Sequence, residues 1–417
     1  MTKFASLHMT RLASLTLFTL LLIGNTKFTF QTAAATQHQS KTSEIITGAD
    51  QTEKYLPLLK GKRIGLVANQ SSIIGKKSSI DSLVSLGIKI VKVFGPEHGF
   101  RGNASNGAVV GDEMDQKTGI PIVSLYGKNE KPTKEQLAGI DLLVFDIQDV
   151  GCRYYTNINT LQYVMEACAE NDKDLLILDR PNPNAYVVDG PVMTDDKFKS
   201  AIGIHYTPMT HGMTIAEFAQ YLNGEGYLKK QCRITVIKVA NYNHQMSYIL
   251  PINPSPNLNT KQAVMLFPSL CMFEGTAINE GRGTYMPFTI LGAPALKGKY
   301  SFSYKPVSIR GMSESPRHKD SLCYGLDLRN YDTSSLRKSR QVNLVWLIEL
   351  YNAYPDKANF FNPVRTNGVS AFDLRIGTDQ LRKQIIAGVP ETEIRQSWEP
   401  GLKKFKAIRA KYLLYPD

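Results

Sequence analysis

The chain has 417 residues, 42% hydrophobic and 21% charged, which allows more than one domain and excludes large-scale disorder. Residues 1–37 supply three cations (Lys3, Arg11, Lys27) and no acid, leaving +9 of the formal net charge of +12 for the rest. No Lys/Arg block or basic helix accompanies that excess, so it argues against nucleic acid and fits an anionic ligand or ordinary solvation.

Residues 1–35 read as a secretory signal peptide. Lys3 and Arg11 flank a polar start, residues 12–23 are apolar, and Ala33-Ala34-Ala35 offers an A-x-A cleavage site. About 12 apolar residues are too few to cross a bilayer comfortably, and no nearby cysteine suggests a lipid anchor. The expectation is a bacterial exported protein, periplasmic or secreted, with no stable membrane anchor after cleavage.

Residues 36–54 are a polar linker, and from Tyr55 strands and helices alternate. KRIGLVANQSS (62–72), KIVKVFGPEHG (89–99), DLLVFDIQDVGCRYY (141–155) and DLLILDRPNPN (174–184) each carry a short apolar run that stops at acids or amides. Such runs suit strands buried on both faces. Helices are expected at 78–86, from Thr133, at 157–171 with Ile158, Leu161, Val164, Met165 and Cys168 on one face, and at 214–222 behind a Thr214/Glu217 cap. A further strand is expected at 232–240. The alternation specifies a mostly parallel α/β sheet over residues 55–262, with ligands outside the strands' carboxyl ends. Pro251, Pro254 and Pro256 stiffen a loop, and residues 263–417 form a second, smaller α/β domain. That domain is Gly-rich, then irregular, with strands near 288–291 and 325–328 and an amphipathic closing helix at 398–415. Five scattered cysteines without a CxxC pair read as buried thiols.

The acid-tipped runs give the candidate site. Glu97, between Pro96 and Gly99, is pinned on a turn after a strand and suits a general acid or base, against a plain turn-capping role. His98 serves equally as an orienting or a catalytic group. Asp146, Gln148 and Asp149 offer paired acceptors and a donor for sugar hydroxyls, with a structural role for one acid the rival reading. Arg153 and Tyr155 add a guanidinium fork and a ring that stacks on a sugar. Asp179, Arg180 and Asn182 are presented by a proline-stiffened turn, unless Asp179 and Arg180 simply pair with each other. His211 precedes a capped helix, where a lone histidine is usually structural. In FEGTAINEGRGT (273–284), Glu274, Glu280 and Arg282 surround three glycines that allow close backbone approach to an anion. No HExxH, GxSxG or GxGxxG pattern is present, so carboxylate-based hydrolysis without cofactor or metal is the chemistry these residues support best. A non-catalytic periplasmic binding protein using the same residues, or a metal-dependent hydrolase using His98 and His211, are the alternatives.

GLVANQS, FGPEHGFRG, SLYGKNEKPT, DIQDVGCRYYT, LDRPNP, HGMTIAE, PSPN and FEGTAINEGRGT with Phe288 resemble the exo-β-N-acetylmuramidases, from about residue 62 to the final LLYPD. The resemblance implies a Rossmann-like domain and a smaller α/β domain with the active site in the cleft between them. It also implies release of terminal non-reducing N-acetylmuramic acid from peptidoglycan fragments, muropeptides or disaccharides. It makes Glu97 the leading catalytic carboxylate, with Asp146 and Glu274 as candidate partners. Arg101, Arg153, Arg180 and Arg282 lie in shared motifs, as does Asn257 in PSPN. An Arg fork would recognise the lactyl carboxylate that a plain hexosamine lacks. PINPSPN departs from the pattern by lacking an aromatic residue before its loop.

Overall fold

The computed structural model describes residues 44–97, 99–100, 113–127, 129–361, 364 and 368–417. Twelve strands are found among them: β1 (Ile64–Ala68), β2 (Ile73–Ile74), β3 (Lys77–Ser78), β4 (Ile90–Gly95), β5 (Glu113–Met114), β6 (Pro121–Ser124), β7 (Leu142–Asp146), β8 (Asp174–Leu178), β9 (Ile234–Ile237), β10 (Ile290–Ala293), β11 (Phe302–Tyr304) and β12 (Cys323–Asp327). Seven make one sheet in the order β5-β6-β4-β1-β7-β8-β9, all parallel except the short edge pair β5·β6. In chain order the parallel strands run 3-2-1-4-5-6, the doubly wound arrangement whose switch point falls between β1 and β7.

The apolar runs become these strands because each has two faces to bury. Leu143 and Phe145 of β7 enter one core with Leu175 and Ile177 of β8, while Leu142, Val144, Leu176 and Leu178 enter the core on the other face. The helix Asn157–Glu170 lays Ile158, Leu161, Val164, Met165 and Cys168 on the first of these cores, the face its 3.6-residue spacing predicts. Thr214 and Glu217 close a capping box on the helix Ile215–Gly224, as expected from their spacing.

The second half differs more from expectation. Its sheet is β10-β12-β11, antiparallel. Around it lie helices Lys261–Leu270, Val345–Ala353, Ala371–Ile376 and Gln380–Ile386, in stretches where composition suggests irregular chain. The first two are apolar runs that read equally as buried strands, Pro268 further obscures the first, and the last two are only six and seven residues long. The largest core is shared between the halves, joining Val150, Tyr154 and Met209 to Phe267, Leu291, Trp346 and Phe372. The closing helix, Glu391–Arg409, spans both: Ile394, Trp398 and Leu402 enter the shared core, and Phe405 enters the core on the large sheet.

Beyond that helix, residues 413–417 return to the sheet half. Tyr415 donates its hydroxyl to Asp179 at 2.6 Å, Leu414 N–H donates to Glu217 at 2.8 Å, and Asp417 pairs with Arg409 and His244, each at 2.7 Å. All five cysteines are buried free thiols. Among the described residues no helix is long and apolar enough to cross a membrane.

Candidate active site

A cavity of about 230 Å³ opens at the carboxyl ends of the parallel strands. That is near the lower limit of small-molecule pockets, roughly 300–1,000 Å³, and suits one sugar residue better than a polymer. The sheet half supplies one wall: Asn69 follows β1, Glu97 follows β4, Tyr126 follows β6, and Tyr155 and Thr156 follow β7. Asn257, Glu274, Arg282 and Arg375 come from the later part of the chain.

Glu97 is half-buried on its turn and accepts a hydrogen bond from the Thr156 hydroxyl at 3.0 Å. Thr156 stands at the N-cap of the helix Asn157–Glu170, yet its side chain makes no cap bond there and is turned to Glu97 instead. Tyr126 also faces Glu97. Burial, aided by the Glu97 and Glu130 carboxylates, pushes its phenol up to about 12, so it remains a proton donor at neutral pH. Glu130 lines the same cavity and faces Tyr163, whose phenol burial and that carboxylate also push up to about 12. The sheet-side wall is thus acidic, its carboxylates met by phenols and a hydroxyl.

The opposite wall is built around Glu274. Arg282 donates to its Oε1 from Nε (3.0 Å) and Nη2 (2.6 Å), and Arg375 to its Oε2 from Nε (3.1 Å) and Nη2 (2.6 Å). Burial alone would raise this carboxyl, but the two guanidiniums outweigh it and the pKa falls to about 2. Gly275 makes the clamp possible, since a Cβ there would run into the backbone of Phe372 and hold the helix of Arg375 away. Glu280 lies behind Arg282, 3.1 Å from its Nε, and burial with the Glu274 charge pushes its carboxyl up.

Of the residues singled out in the sequence, Glu97, Tyr155, Asn257, Glu274 and Arg282 line the cavity. His98 and Arg101 lie outside the described residues. The remainder are taken up by the fold, which corrects the expectation of one polar rim. Asp146 is fully buried and holds Arg180 at 2.7 Å, while Arg180 also donates to the Ile73 carbonyl at 2.8 Å. Arg180 therefore pairs with Asp146 rather than with Asp179. Asp179 instead accepts from Ala216 N–H (3.0 Å), the Thr214 hydroxyl (2.8 Å) and Tyr415, and burial pushes it up to about 6. Gln148 donates to the carbonyls of Asp149 and Pro181, and Asn182 to that of Met213. Arg153 is buried with its guanidinium on the carbonyls of Thr207 and Arg375. Burial pushes Asp149 up to about 7, offset in part by the Gly151 and Val150 N–H groups. His211 accepts from Met213 N–H at 3.2 Å, and burial, with Arg409 and Arg153 nearby, brings it down to about 3. It is neutral, so its 3.8 Å approach to Asp149 is not an ion pair. Glu280 does not reach the wall. Among the described residues no group of three His, Cys, Asp or Glu side chains could hold a metal ion.

Sequence reasoning passes over Tyr126, Glu130, Thr156, Tyr163 and Arg375. Tyr126, Glu130 and Thr156 sit inside motifs quoted above. Arg375 has no local signal, since its partner Glu274 is 101 residues away.

The doubly wound sheet, the cavity at its carboxyl ends and the acidic and arginine walls are those of an α/β enzyme acting on a small polar ligand. The chain belongs to the exo-β-N-acetylmuramidase NamZ family, whose N-terminal model matches residues 64–262 and whose C-terminal model matches residues 265–415. It is 37% identical over 416 residues to the peptidoglycan β-N-acetylmuramidase NamZ of Bacillus subtilis (strain 168), covering 94% of this chain and 98% of that protein. The fold is similar to two crystal structures of DUF1343 family proteins from Bacteroides fragilis NCTC 9343. One, solved at 1.30 Å, has a TM-score of 0.82 and 42% identity, covering 90% of this chain and 100% of that one. The other, at 1.65 Å, has a TM-score of 0.75 and 30% identity, covering 89% and 99%.

Proposed function

We propose that the protein is an exo-acting glycoside hydrolase that releases terminal non-reducing β-1,4-linked N-acetylmuramic acid from peptidoglycan fragments, with Glu97 as the general acid. Family membership supports the reaction and substrate class. The observation that carries the role of Glu97 is its place on the cavity wall, fixed by the turn after β4 and by the Thr156 hydroxyl. A carboxyl so held protonates the departing glycosidic oxygen as the C–O bond breaks, and a second carboxylate positions the attacking group or stabilises the charge that develops at C1. Glu274 is poorly suited to that second role, because both its oxygens are occupied by arginines and it stays ionised. Glu130 is the other cavity-lining carboxylate among the described residues, and it takes the part of partner.

Purified protein should release chromophore from a chromogenic β-N-acetylmuramide. Glu97→Gln should cut kcat by about 10²–10⁴ while leaving affinity and melting temperature near the parent values. Undiminished turnover in that variant removes the assignment, and binding of muropeptide without turnover by the parent favours the binding-protein reading. The basic and apolar character of residues 1–35 supports export to the periplasm or beyond, where such fragments arise. Retention of the full chain in the cytoplasmic fraction would count against this.

A further inference from the structure

The cavity has two electrically distinct sides. Glu97 and Glu130 lie toward the sheet, and Arg282 and Arg375 lie across from them. In a muramic acid residue the scissile oxygen is on C1 and the lactyl ether is on C3, with C2 between them. A sugar that brings its glycosidic oxygen to Glu97 therefore has a separate direction in which to project its carboxylate. Four arginines of the motifs are candidates to receive it, and the structure distinguishes the three it describes. Arg180 is spent on Asp146 and the Ile73 carbonyl, and Arg153 on two carbonyls, both away from the cavity. Arg375 reaches the wall, but its Nε and Nη2 hold Glu274 and its Nη1 donates to the Ala371 carbonyl at 3.2 Å.

Arg282 is different. Its Nε and Nη2 hold Glu274, while its Nη1 is buried with no hydrogen-bond partner among the described residues. A buried guanidinium N–H without an acceptor is costly, and native proteins keep few of them. Here it belongs to a side chain on the wall of a ligand cavity. We propose that Arg282 is the specificity-determining residue that receives the lactyl carboxylate of the substrate, and that Glu274 and Arg375 are positioning residues that fix its guanidinium. This rests on the muramidase reading above. It gives Glu274 a task other than proton transfer, since a clamped carboxylate holds one face of the guanidinium and leaves Nη1 for the ligand. The Arg282 guanidinium also lies over the Phe288 ring, 5.1 Å from its centroid, which further limits its freedom.

The test crosses a change in the enzyme with a change in the substrate. Wild type, Arg282→Met and Arg282→Lys are assayed on a chromogenic β-N-acetylmuramide, on its lactyl methyl ester and on the matching N-acetylglucosaminide. Esterification should lower kcat/KM of the wild type by about 10²–10³-fold, the scale of losing a partner from a desolvated charge pair. Arg282→Met should lose a similar factor on the free acid and show less than a threefold difference between acid and ester. Arg282→Lys, which keeps a charge but not the fork, should show an intermediate ester penalty. A full ester penalty in Arg282→Met overturns the proposal. If that variant does not fold, a full ester penalty in Arg282→Lys does the same. Wild type that turns over none of the three sugars refutes the hydrolase reading, whereas turnover with no ester penalty refutes only the role of Arg282.

Discussion

Asp146→Asn separates a structural acid from a catalytic one. Asp146 and Arg180 are both buried, 2.7 Å apart, and Arg180 is further tied to the Ile73 carbonyl. Removing the carboxylate charge leaves a guanidinium in the core without its counter-charge, which costs about 3–5 kcal/mol. At about 1.3 °C per kcal/mol for a compact unit spanning Glu44–Asp417, the melting temperature should fall by roughly 4–7 °C. Burial pushes the Asp146 carboxyl up against the pull of Arg180, so the pair is itself held at some desolvation cost. Replacing both members together, as Asp146→Leu with Arg180→Met, should therefore recover much of the loss. Thermal unfolding by calorimetry, with turnover measured at least 15 °C below each midpoint, reads both effects; folded Asp146→Asn should retain kcat within about threefold of the parent. A melting temperature within 2 °C of wild type, with kcat reduced a hundredfold, would return Asp146 to the chemistry and refute the structural assignment.

Three further outcomes are expected. Glu274 has its pKa lowered from 4.5 to about 2, so its clamp stabilises fully above pH 4.5 and loses that contribution as pH falls through 2. Urea unfolding between those pH values should show the parent losing about 3 kcal/mol more than Glu274→Gln, and parallel curves would contradict the clamp. Asp149 is the reverse case, raised from 3.8 to about 7: the folded state retains a proton that the unfolded state releases, so stability declines as pH rises through 7. Asp149→Asn cannot titrate and should gain on the parent by on the order of 3–4 kcal/mol between pH 4 and pH 8, and an unchanged difference across that range sinks the reading. Glu130→Gln should lower kcat on the chromogenic muramide by about 10²–10³-fold with little change in KM. Activity within twofold of the parent would show that no second carboxylate at this position is needed, leaving the substrate's own N-acetyl group as the assisting nucleophile.

The strands of the large sheet are legible because β1, β7 and β8 are nearly continuous apolar runs that fill a core on each face, and β4 is one interrupted only by Lys92. The acids that end them look alike in sequence and diverge in space. Glu97 faces the cavity, while Asp146 and Asp179 are fully buried. That difference depends on Arg180 for one and on Tyr415 for the other, and only the first lies near by in the chain. The FEGTAINEGRGT loop does reach the cavity, through Glu274 and Arg282, but the bonding of Glu274 is decided by Arg375, which arrives on a helix that composition alone does not reveal. Thr156 was legible as a residue and not as a partner, because an N-cap position ordinarily uses its side chain for the helix.

The return of residues 413–417 to the sheet half couples distant parts of the chain during folding. Asp179 Oδ2 receives Tyr415, 236 residues downstream, and Glu217 Oε1 receives Leu414 N–H, 197 residues downstream. A nascent chain that has emerged only as far as residue 262 would therefore present a sheet with two buried carboxylates short of donors and a core lacking Phe405. The buried hydrogen bonding of the sheet half is therefore completed only by the last residues of the chain.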